Sequence, residues 1–331
     1  MLIRFFRSSY LGQYLALLFL TAAIGLPHFF AYPDAPENIQ AVPLYSFLSM
    51  WATEPSIWIP LLSLILLYVE ALLLNQFLAD HNLIPKNSLL GGFTYIILMS
   101  GMDGIYSLHP MLFVNMLLIL LLNLSLHLYQ SKNSFNNVFM AGFLIALIAL
   151  LFNHGIYLLL LFASILILMR ALNWREWLIS IAGFAIPFVY AIAFYYLTDR
   201  LDLLRLIDWG YVRLAFTLPA YDIISWIHYA LIIFILMITS GKVMSKLFVK
   251  NIDIRKKTTA VFYFFTVLFL IFLFSHSENK SIALIMLPVA VLISIYISQL
   301  KRLWFYQLIF LLLLLLDIYQ NYAGIWIREL N

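Results

Sequence analysis

Two acidic residues, Asp34 and Glu37, are the strongest candidates for proton-transfer chemistry in this chain. They lie in a segment that also contains Pro33, Pro36 and Pro43. Because proline fixes the backbone dihedral φ, these prolines predict an ordered, non-helical segment that holds the carboxylates in place. A carboxylate held in this way can act as a general base toward a hydroxyl group. Ordinary solvation of a surface loop is the alternative explanation for both residues.

Three arginines, Arg200, Arg205 and Arg213, are the candidates for phosphate binding. Charged residues recur at every third position from 199 to 208, and apolar residues lie between them. That pattern predicts an amphipathic helix over 198–222 that lies in the membrane interface. An arginine on such a helix can bind a lipid-linked phosphate through two parallel hydrogen bonds. Pairing with nearby aspartates or with ordinary lipid headgroups is an alternative that the sequence leaves open.

The histidines His109, His154 and His276 join the candidate site because all three fall at the outer ends of predicted helices. An imidazole at such a place can bind phosphate or move a proton. The same ends carry further polar residues, namely His28, Asp103, Asn153 and Glu278. The histidines lack the close spacing of metal ligands, so the sequence predicts no metal site and no cofactor.

Long apolar runs must position these residues, since hydrophobic residues make up 65% of the 331 residues and charged residues only 10%. A soluble core cannot bury so much apolar surface, so we expect a lipid bilayer to surround most of the chain. We predict an all-α integral membrane protein with one transmembrane domain over 1–331. The predicted spans are 10–30, 57–78, 88–107, 110–129, 138–153, 155–172, 177–197, 223–241, 259–275, 281–299 and 303–322. Their number is about ten to twelve, because 88–107 and 138–153 could be re-entrant.

The charged residues sort by side when these eleven spans are drawn. With Met1 in the cytoplasm, 14 of the 19 Lys and Arg residues fall inside and five outside, whereas ten of the 15 acidic residues fall outside. Cytoplasmic loops of membrane proteins are enriched in Lys and Arg. The sorting therefore predicts a multi-pass membrane protein with a cytoplasmic N-terminus. Arg200, Arg205 and Arg213 are three of the five exceptions.

Three segments outside the spans have distinct compositions. The first extracytoplasmic loop, 31–56, is acidic and contains no Lys or Arg, and 198–222 is the interfacial helix. The segment 242–258 is predicted to be a basic cytoplasmic loop that fixes the topology. No inner loop is long enough for a nucleotide-hydrolysing domain, and the phosphate-binding motif GxxxxGK[ST] is absent. The net charge of +4 comes from cytoplasmic cations, so no nucleic-acid partner is expected.

Two acidic residues, Glu70 and Asp317, lie inside predicted spans. Acids within a membrane are costly and indicate function by default. At 1.5 Å per helical residue, Glu70 lies about 20 Å below the outer face and Asp317 about 8 Å below it. This difference in depth argues against a shared ion site. A secondary transporter that depends on Glu70 is the weakest of three functional hypotheses, and packing of Glu70 against a neighbour's Tyr or Asn would remove its main support.

Two parts of the chain resemble known membrane families. The sequence LLLNQFLADHNLIPKNSLL over Leu72–Leu90, with the opening FFRSSYLGQYLALLFL, resembles an uncharacterised family of bacterial inner-membrane proteins known as a domain of unknown function. The stretch Ser107–Leu197 contains SLHP, AGFLIALIALLFNHG and NWREW in this order. It is similar to the core of the GT-C membrane glycosyltransferases, which use polyprenyl-phosphate sugar donors.

The GT-C resemblance implies roles for residues named above. An acid of the first outer loop, Asp34 or Glu37, would be the base, and Arg200, Arg205 or His109 would meet the donor phosphate. The chain departs from the family because Asp34 and Glu37 are not adjacent. The expected partners are the lipid bilayer, a lipid-linked sugar and other envelope membrane proteins. A non-catalytic subunit of an envelope-biogenesis or export complex remains the alternative to a glycosyltransferase.

Overall fold

The computed structural model describes residues 2–30, 44, 57–102, 104–127, 135–169, 174–199, 223–247, 251–274 and 282–329. Within these residues the chain is helical, with twelve α-helices, two short 3-10 helices and no β-strand. The α-helices are α1 (Leu2–Phe5), α2 (Leu11–Gly25), α3 (Trp58–Asp80), α4 (Leu90–Ser100), α5 (Pro110–His127), α6 (Phe135–Leu151), α7 (Leu158–Met169), α8 (Trp174–Leu197), α9 (Ile223–Leu247), α10 (Ile252–Phe274), α11 (Ala283–Ser298) and α12 (Trp304–Glu329). The 3-10 helices are Leu26–Phe29 and Asn153–Tyr157.

Each of the eleven predicted spans overlaps one of the helices α2 to α12. Seven candidate spans in the described part of the chain are long and apolar enough to cross a membrane. They correspond to α2 with its 3-10 extension, α3, α5, α8, α9, α10 and α12. The apolar helices α4, α6, α7 and α11 are shorter. The prediction of a multi-pass, all-helical membrane protein is therefore confirmed, whereas eleven crossings and the orientation stay predictions.

Helix α4 is much shorter than the predicted span 88–107, because it ends at Ser100 after 11 residues. Eleven residues extend about 17 Å at 1.5 Å per residue, against a hydrocarbon core of about 30 Å. The chain after it turns through Gly104 and Leu108, which have positive φ angles of 71° and 55°. Such angles interrupt a helix, so α4 covers only part of the predicted span 88–107, and whether this stretch crosses the membrane or is re-entrant stays open.

Two of the shorter helices form the centre of the bundle. Every residue of α4 is buried, and so is every residue of α11 from Ala283 to Ile297. The hydroxyl groups of Thr94 and Ser294 are hydrogen-bonded to each other across their interface. Because α4 and α11 are buried on all sides, they form the centre around which the longer helices pack.

The outer helices expose apolar surface, as a bilayer solvent requires. Helix α8 buries only the narrow stripe Glu176, Ser180, Gly183, Pro187 and Tyr195. A Cβ atom built on Gly183 would lie 2.2 Å from the carbonyl oxygen of Phe139 on α6. Small residues allow this close approach of two helix backbones within a membrane.

Hydrogen bonds join helices at both ends of the bundle. At one end, Arg7 donates to the carbonyl oxygen of Ile297 at 2.8 Å. At the other end, His28 and Asn321 are joined at 2.8 Å. In both cases, residues that the sequence places on the same side of the membrane contact each other. We call the end that contains His28 and Asn321 the outer end, after its predicted orientation.

The predicted basic loop 242–258 is helical over most of its length, which corrects that expectation. Helix α9 continues to Leu247, and α10 begins at Ile252. Buried Lys257 donates a hydrogen bond of 2.9 Å to Asp253 one helical turn earlier, which stabilises the start of α10. The loop predicted over 31–56, apart from Leu44, and the interfacial helix predicted over 198–222, apart from its first two residues, lie outside the described residues.

Candidate functional site

A buried histidine and a buried aspartate meet at the outer end. His228 lies on α9 and Asp317 on α12, and the side chains of both are 0% exposed. The Nδ1 atom of His228 is 3.3 Å from the Oδ1 atom of Asp317. His228 is five residues from the start of α9, about 8 Å along the helix at 1.5 Å per residue, which matches the predicted depth of Asp317. Two ionisable groups buried at one depth in an apolar bundle are costly unless each compensates the charge of the other.

The end of α4 lies directly on this pair at Gly101. A Cβ atom built on Gly101 would lie 2.4 Å from Cε1 of His228 and 2.5 Å from Oδ1 of Asp317. Real Cβ atoms do not approach other heavy atoms so closely, because van der Waals contacts begin at about 3.5 Å. The missing side chain therefore allows α4 to contact both members of the pair. Three elements, namely α4, α9 and α12, converge at this point.

One turn further along α12, Asn321 joins the site to the first part of the chain. Its amide nitrogen donates to the carbonyl oxygens of Ser100 at 3.0 Å and Asp317 at 2.7 Å. Its amide oxygen must then be an acceptor, so the Nε2 atom of His28 donates to it at 2.8 Å. The His28 ring stacks on Tyr106 with ring centroids 4.8 Å apart. The 3-10 helix after α2 and the turn after α4 are thereby part of the same site.

The site contains many polar atoms that lack a partner within the protein. In the described part of the chain, 11 buried side-chain nitrogen or oxygen atoms have no hydrogen-bond partner. Six of these belong to Tyr106, His228, Asp317 and Gln320. Gln320 also donates from its Nε2 atom to Ser225 Oγ at 3.2 Å, one turn beyond the His228–Asp317 contact. Buried polar atoms are normally hydrogen-bonded, so their concentration here requires an explanation.

Tyr106 keeps its proton in this environment. Burial raises the pKa of Tyr106, a polar contact with the Ser100 side chain opposes this shift, and the nearby carboxyl group of Asp317 adds to it. Burial disfavours the phenolate, and a neighbouring negative charge does the same. Tyr106 is therefore an uncharged neighbour of the pair.

The second intramembrane acid, Glu70, occupies a different place. The Tyr95 hydroxyl of α4 donates to its Oε2 atom at 2.6 Å, and both side chains are completely buried. Nearby on α5, Asn115 donates to the carbonyl oxygen of Ala283 at 3.3 Å. Glu70 thus packs against a neighbouring tyrosine, and this contact removes the main support for the transport hypothesis.

His109 ends the turn that begins at Gly101. Its Nδ1 atom accepts a hydrogen bond from the backbone N–H of Met111 at 3.2 Å, which satisfies a donor at the start of α5. Burial lowers the pKa of His109 to about 4. The ring is therefore neutral near neutral pH and serves as a helix cap. Its suggested contact with a donor phosphate stays a prediction.

The opposite end of the bundle holds another buried histidine. The Nε2 atom of His81 is 2.9 Å from the amide oxygen of Asn123, and its ring lies 4.7 Å from that of His127. Burial lowers the pKa of His81 to about 4, although the hydrogen bond to Asn123 opposes this shift. A neutral His81 therefore helps to hold α3 against α5 at this end.

Most of the sequence-predicted site residues fall outside the described part of the chain. These are Asp34, Glu37, Arg200, Arg205, Arg213 and His276, together with the side chain of His154. The described residues nevertheless fix where two of their segments attach. The segment 31–56 follows the 3-10 helix that contains His28. The segment 200–222 precedes α9, which carries His228 near its start.

His228 is the functional candidate that sequence reasoning missed. It lies within the apolar run WIHYALIIF and was treated as part of a predicted span. Its signal was available, because a histidine inside a membrane span is costly and indicates a partner. The identity of that partner depends on which helices pack together, and the sequence alone does not specify this.

The described residues contain no cluster of three His, Asp or Glu residues that could hold a metal ion. The His228–Asp317 pair has only two such side chains, so it does not meet the usual ligand count of a zinc site. Comparison with family models, with curated proteins and with solved structures finds no match to this chain.

Proposed function

We propose that this protein is a GT-C-like glycosyltransferase of the bacterial inner membrane that acts in cell-envelope biogenesis. In this proposal the chain crosses the membrane eleven times with its N-terminus in the cytoplasm. The donor is a sugar linked to a polyprenyl phosphate, and transfer takes place at the outer face. The proposal rests on the GT-C resemblance and on the position of the buried polar site.

The observation that carries the proposal is the convergence of polar residues at one end of an otherwise apolar bundle. His28 from the first part of the chain meets His228 and Asp317 from its later part there. The segments with Asp34 and with Arg200 attach next to His28 and His228. Chain connectivity therefore puts the attachment points of the predicted base and the predicted phosphate ligands beside one site.

The proposed reaction needs few groups from the protein. Asp34 or Glu37 accepts the proton of the acceptor hydroxyl, and the resulting oxygen nucleophile attacks the anomeric carbon of the donor sugar. The bond from this carbon to the phosphate oxygen breaks, and polyprenyl phosphate leaves. Arg200 and Arg205 stabilise the negative charge on the phosphate by charge-assisted hydrogen bonds.

Binding of a synthetic polyprenyl phosphate to the full-length protein in nanodiscs tests the phosphate site. We expect the wild type to bind it and a double variant, Arg200→Gln with Arg205→Gln, to bind it at least about tenfold more weakly, since a charge-assisted contact contributes about 1.5–3 kcal/mol. Lys280→Gln is the matched control, because it removes another predicted outer cation. Equal loss in the control and the double variant would contradict a specific site.

A genetic experiment separates the enzyme from the alternative. The double variant Asp34→Asn with Glu37→Gln removes both candidate bases with little change in size. A glycosyltransferase should lose its ability to complement a deletion strain, whereas a non-catalytic membrane subunit should keep it. Wild-type complementation at wild-type protein levels would overturn the proposed activity and favour the subunit.

The proposed orientation has a direct test because the chain contains no cysteine. Single-cysteine variants Asn38→Cys and Lys132→Cys can be labelled in intact cells with a membrane-impermeant maleimide. We expect labelling at position 38 and protection at position 132. The reverse pattern would contradict a cytoplasmic N-terminus.

A further inference from the structure

The unpartnered atoms at the outer end have complementary hydrogen-bonding roles. Asp317 offers two acceptor oxygens, and Tyr106 offers a hydroxyl group. Neither ring nitrogen of His228 makes a hydrogen bond within the described residues, although Nδ1 is only 3.3 Å from the carboxylate. Water molecules are the usual partners of such buried polar groups. These atoms lie together, whereas the other unpartnered atoms of the described chain are scattered over five residues.

We propose that His228 and Asp317 form a buried proton-binding site that exchanges its proton with the outer solution through water. The ligand is a single proton, and the pair holds it as a unit. This inference does not depend on the proposed glycosyl transfer, because it follows from the composition and burial of the site.

The electrostatic argument rests on the net charge of the pair. With one shared proton the pair is neutral, either as a carboxylic acid beside a neutral imidazole or as a carboxylate beside an imidazolium. Loss of the proton leaves one buried negative charge, and gain of a second leaves one buried positive charge. Either charge is expensive in an apolar bundle. The one-proton state is therefore the resting state, and a change of net charge must be compensated from outside the pair.

The groups that face the pair supply no permanent compensating charge. The turn after α4 contributes Tyr106, and the 3-10 helix after α2 contributes His28 through Asn321. Helix α9 contributes Tyr229, whose ring lies edge-on to the His228 ring with centroids 5.8 Å apart. Helix α4 contributes backbone and Gly101 at the contact itself. No Lys or Arg of the described chain forms an ion pair with Asp317, and Asp103 lies outside the described residues.

The path to solvent runs along the His28 side of the site. Asn321 bridges His28 to the backbone of Asp317, and partly buried His28 lies at the end of its 3-10 helix. In uptake, a hydronium ion at the outer face gives its proton to bridging water, and the last water gives a proton to the pair. In release, the same transfers occur in reverse. No bond other than these O–H and N–H bonds forms or breaks.

Infrared spectroscopy of the full-length protein in lipid tests this site. The carbonyl stretch of a protonated carboxylic acid identifies a neutral buried Asp or Glu, and its shift in heavy water reports exchange with solvent. We expect a carboxyl band that titrates with pH and shifts promptly in heavy water. The band should disappear in Asp317→Asn and persist in Glu70→Gln, which removes the other intramembrane acid.

Two further measurements keep the proposal open to refutation if Asp317→Asn fails to fold. In His228→Gln, the midpoint of the Asp317 titration should move by about one pH unit or more, because the imidazole that shares the proton with the carboxylate has been removed. In the wild type alone, the band must exchange in heavy water. A carboxyl group that does not titrate while the protein stays folded, or one that does not exchange, would overturn the proposal.

Discussion

The substitution Gly101→Ala tests the convergence of α4, α9 and α12 at the His228–Asp317 pair. The added methyl group would lie 2.4 Å from His228 Cε1 and 2.5 Å from Asp317 Oδ1. The backbone of Gly101 has φ −87° and ψ 10°, which alanine adopts without strain. The substitution therefore changes the packing against the pair and leaves the local backbone unstrained.

The expected cost follows from these distances. Ordinary contacts begin at about 3.5 Å, so the two side chains must retreat by about 1 Å. Overpacking of this kind costs about 1–3 kcal/mol. Replacing glycine by alanine also lowers the conformational entropy of the unfolded chain, and this stabilises the folded protein by about 0.4–1 kcal/mol. We therefore expect a net loss in the free energy of unfolding on the order of 1–2 kcal/mol.

The control is Gly241→Ala, which introduces the same methyl group on α9 in open space, with nothing within 4 Å. It should be neutral or stabilise the protein by about 0.5–1 kcal/mol, because alanine favours a helix. The assay is denaturant unfolding in mixed micelles, followed by the fluorescence of the eight tryptophans. Equal stability of the two variants would refute the close contact of Gly101 with the pair.

Three further predictions concern other contacts. A double-mutant cycle of Glu70→Gln and Tyr95→Phe should give a coupling energy of about 1–3 kcal/mol in the same unfolding assay, and a value near zero would contradict their hydrogen bond. The pKa of His81 is lowered to about 4, so the native state binds fewer protons than the unfolded state. Its contribution to stability should be present above pH about 6.5 and lost as the pH falls toward 4, and a His81→Gln variant should show a smaller loss over this window. Arg7→Lys should lower the unfolding free energy by about 1 kcal/mol, because Arg7 donates to carbonyl groups near the end of α11, whereas the control Arg4→Lys at an exposed position should change little.

The helices were predictable because their signal is local. Apolar runs of about 20 residues separated by polar turns specify membrane helices with little help from tertiary contacts. The end of α4 at Ser100 was not predicted, because the apolar composition of 88–107 gives no sign of a turn. The turn depends on backbone angles such as the positive φ of Gly104. The loop predicted over 242–258 is largely helical because charge indicates the side of the membrane and says little about secondary structure. The hydrogen bond between Lys257 and Asp253 stabilises the start of helix α10 within this segment.

The site was predictable only in part. Asp317 was identified by its charge inside an apolar run, and its depth of about 8 Å below the outer face stays a prediction. The pairing itself joins two helices distant in sequence, and hydropathy contains no information on which lipid-embedded helices are neighbours. The role of Gly101 was also hidden, because a glycine required by a close contact has the same sequence signature as one tolerated in a helix.

Thiol-specific cross-linking between α9 and α12 tests the central claim, that these helices join at the outer end to form the site. The contact between Ser225 and Gln320 is 3.2 Å long and lies one turn from the His228–Asp317 pair. In this cysteine-free chain, a short bis-maleimide should rapidly cross-link the double variant Ser225→Cys with Gln320→Cys, because the reagent spans the length of the glutamine side chain that the substitution removes. The control pair, Ser225→Cys with Ser298→Cys, places the second cysteine at the opposite end of the bundle. Rapid cross-linking of the first pair alone is the predicted result, and equal or slower cross-linking of that pair would contradict the site.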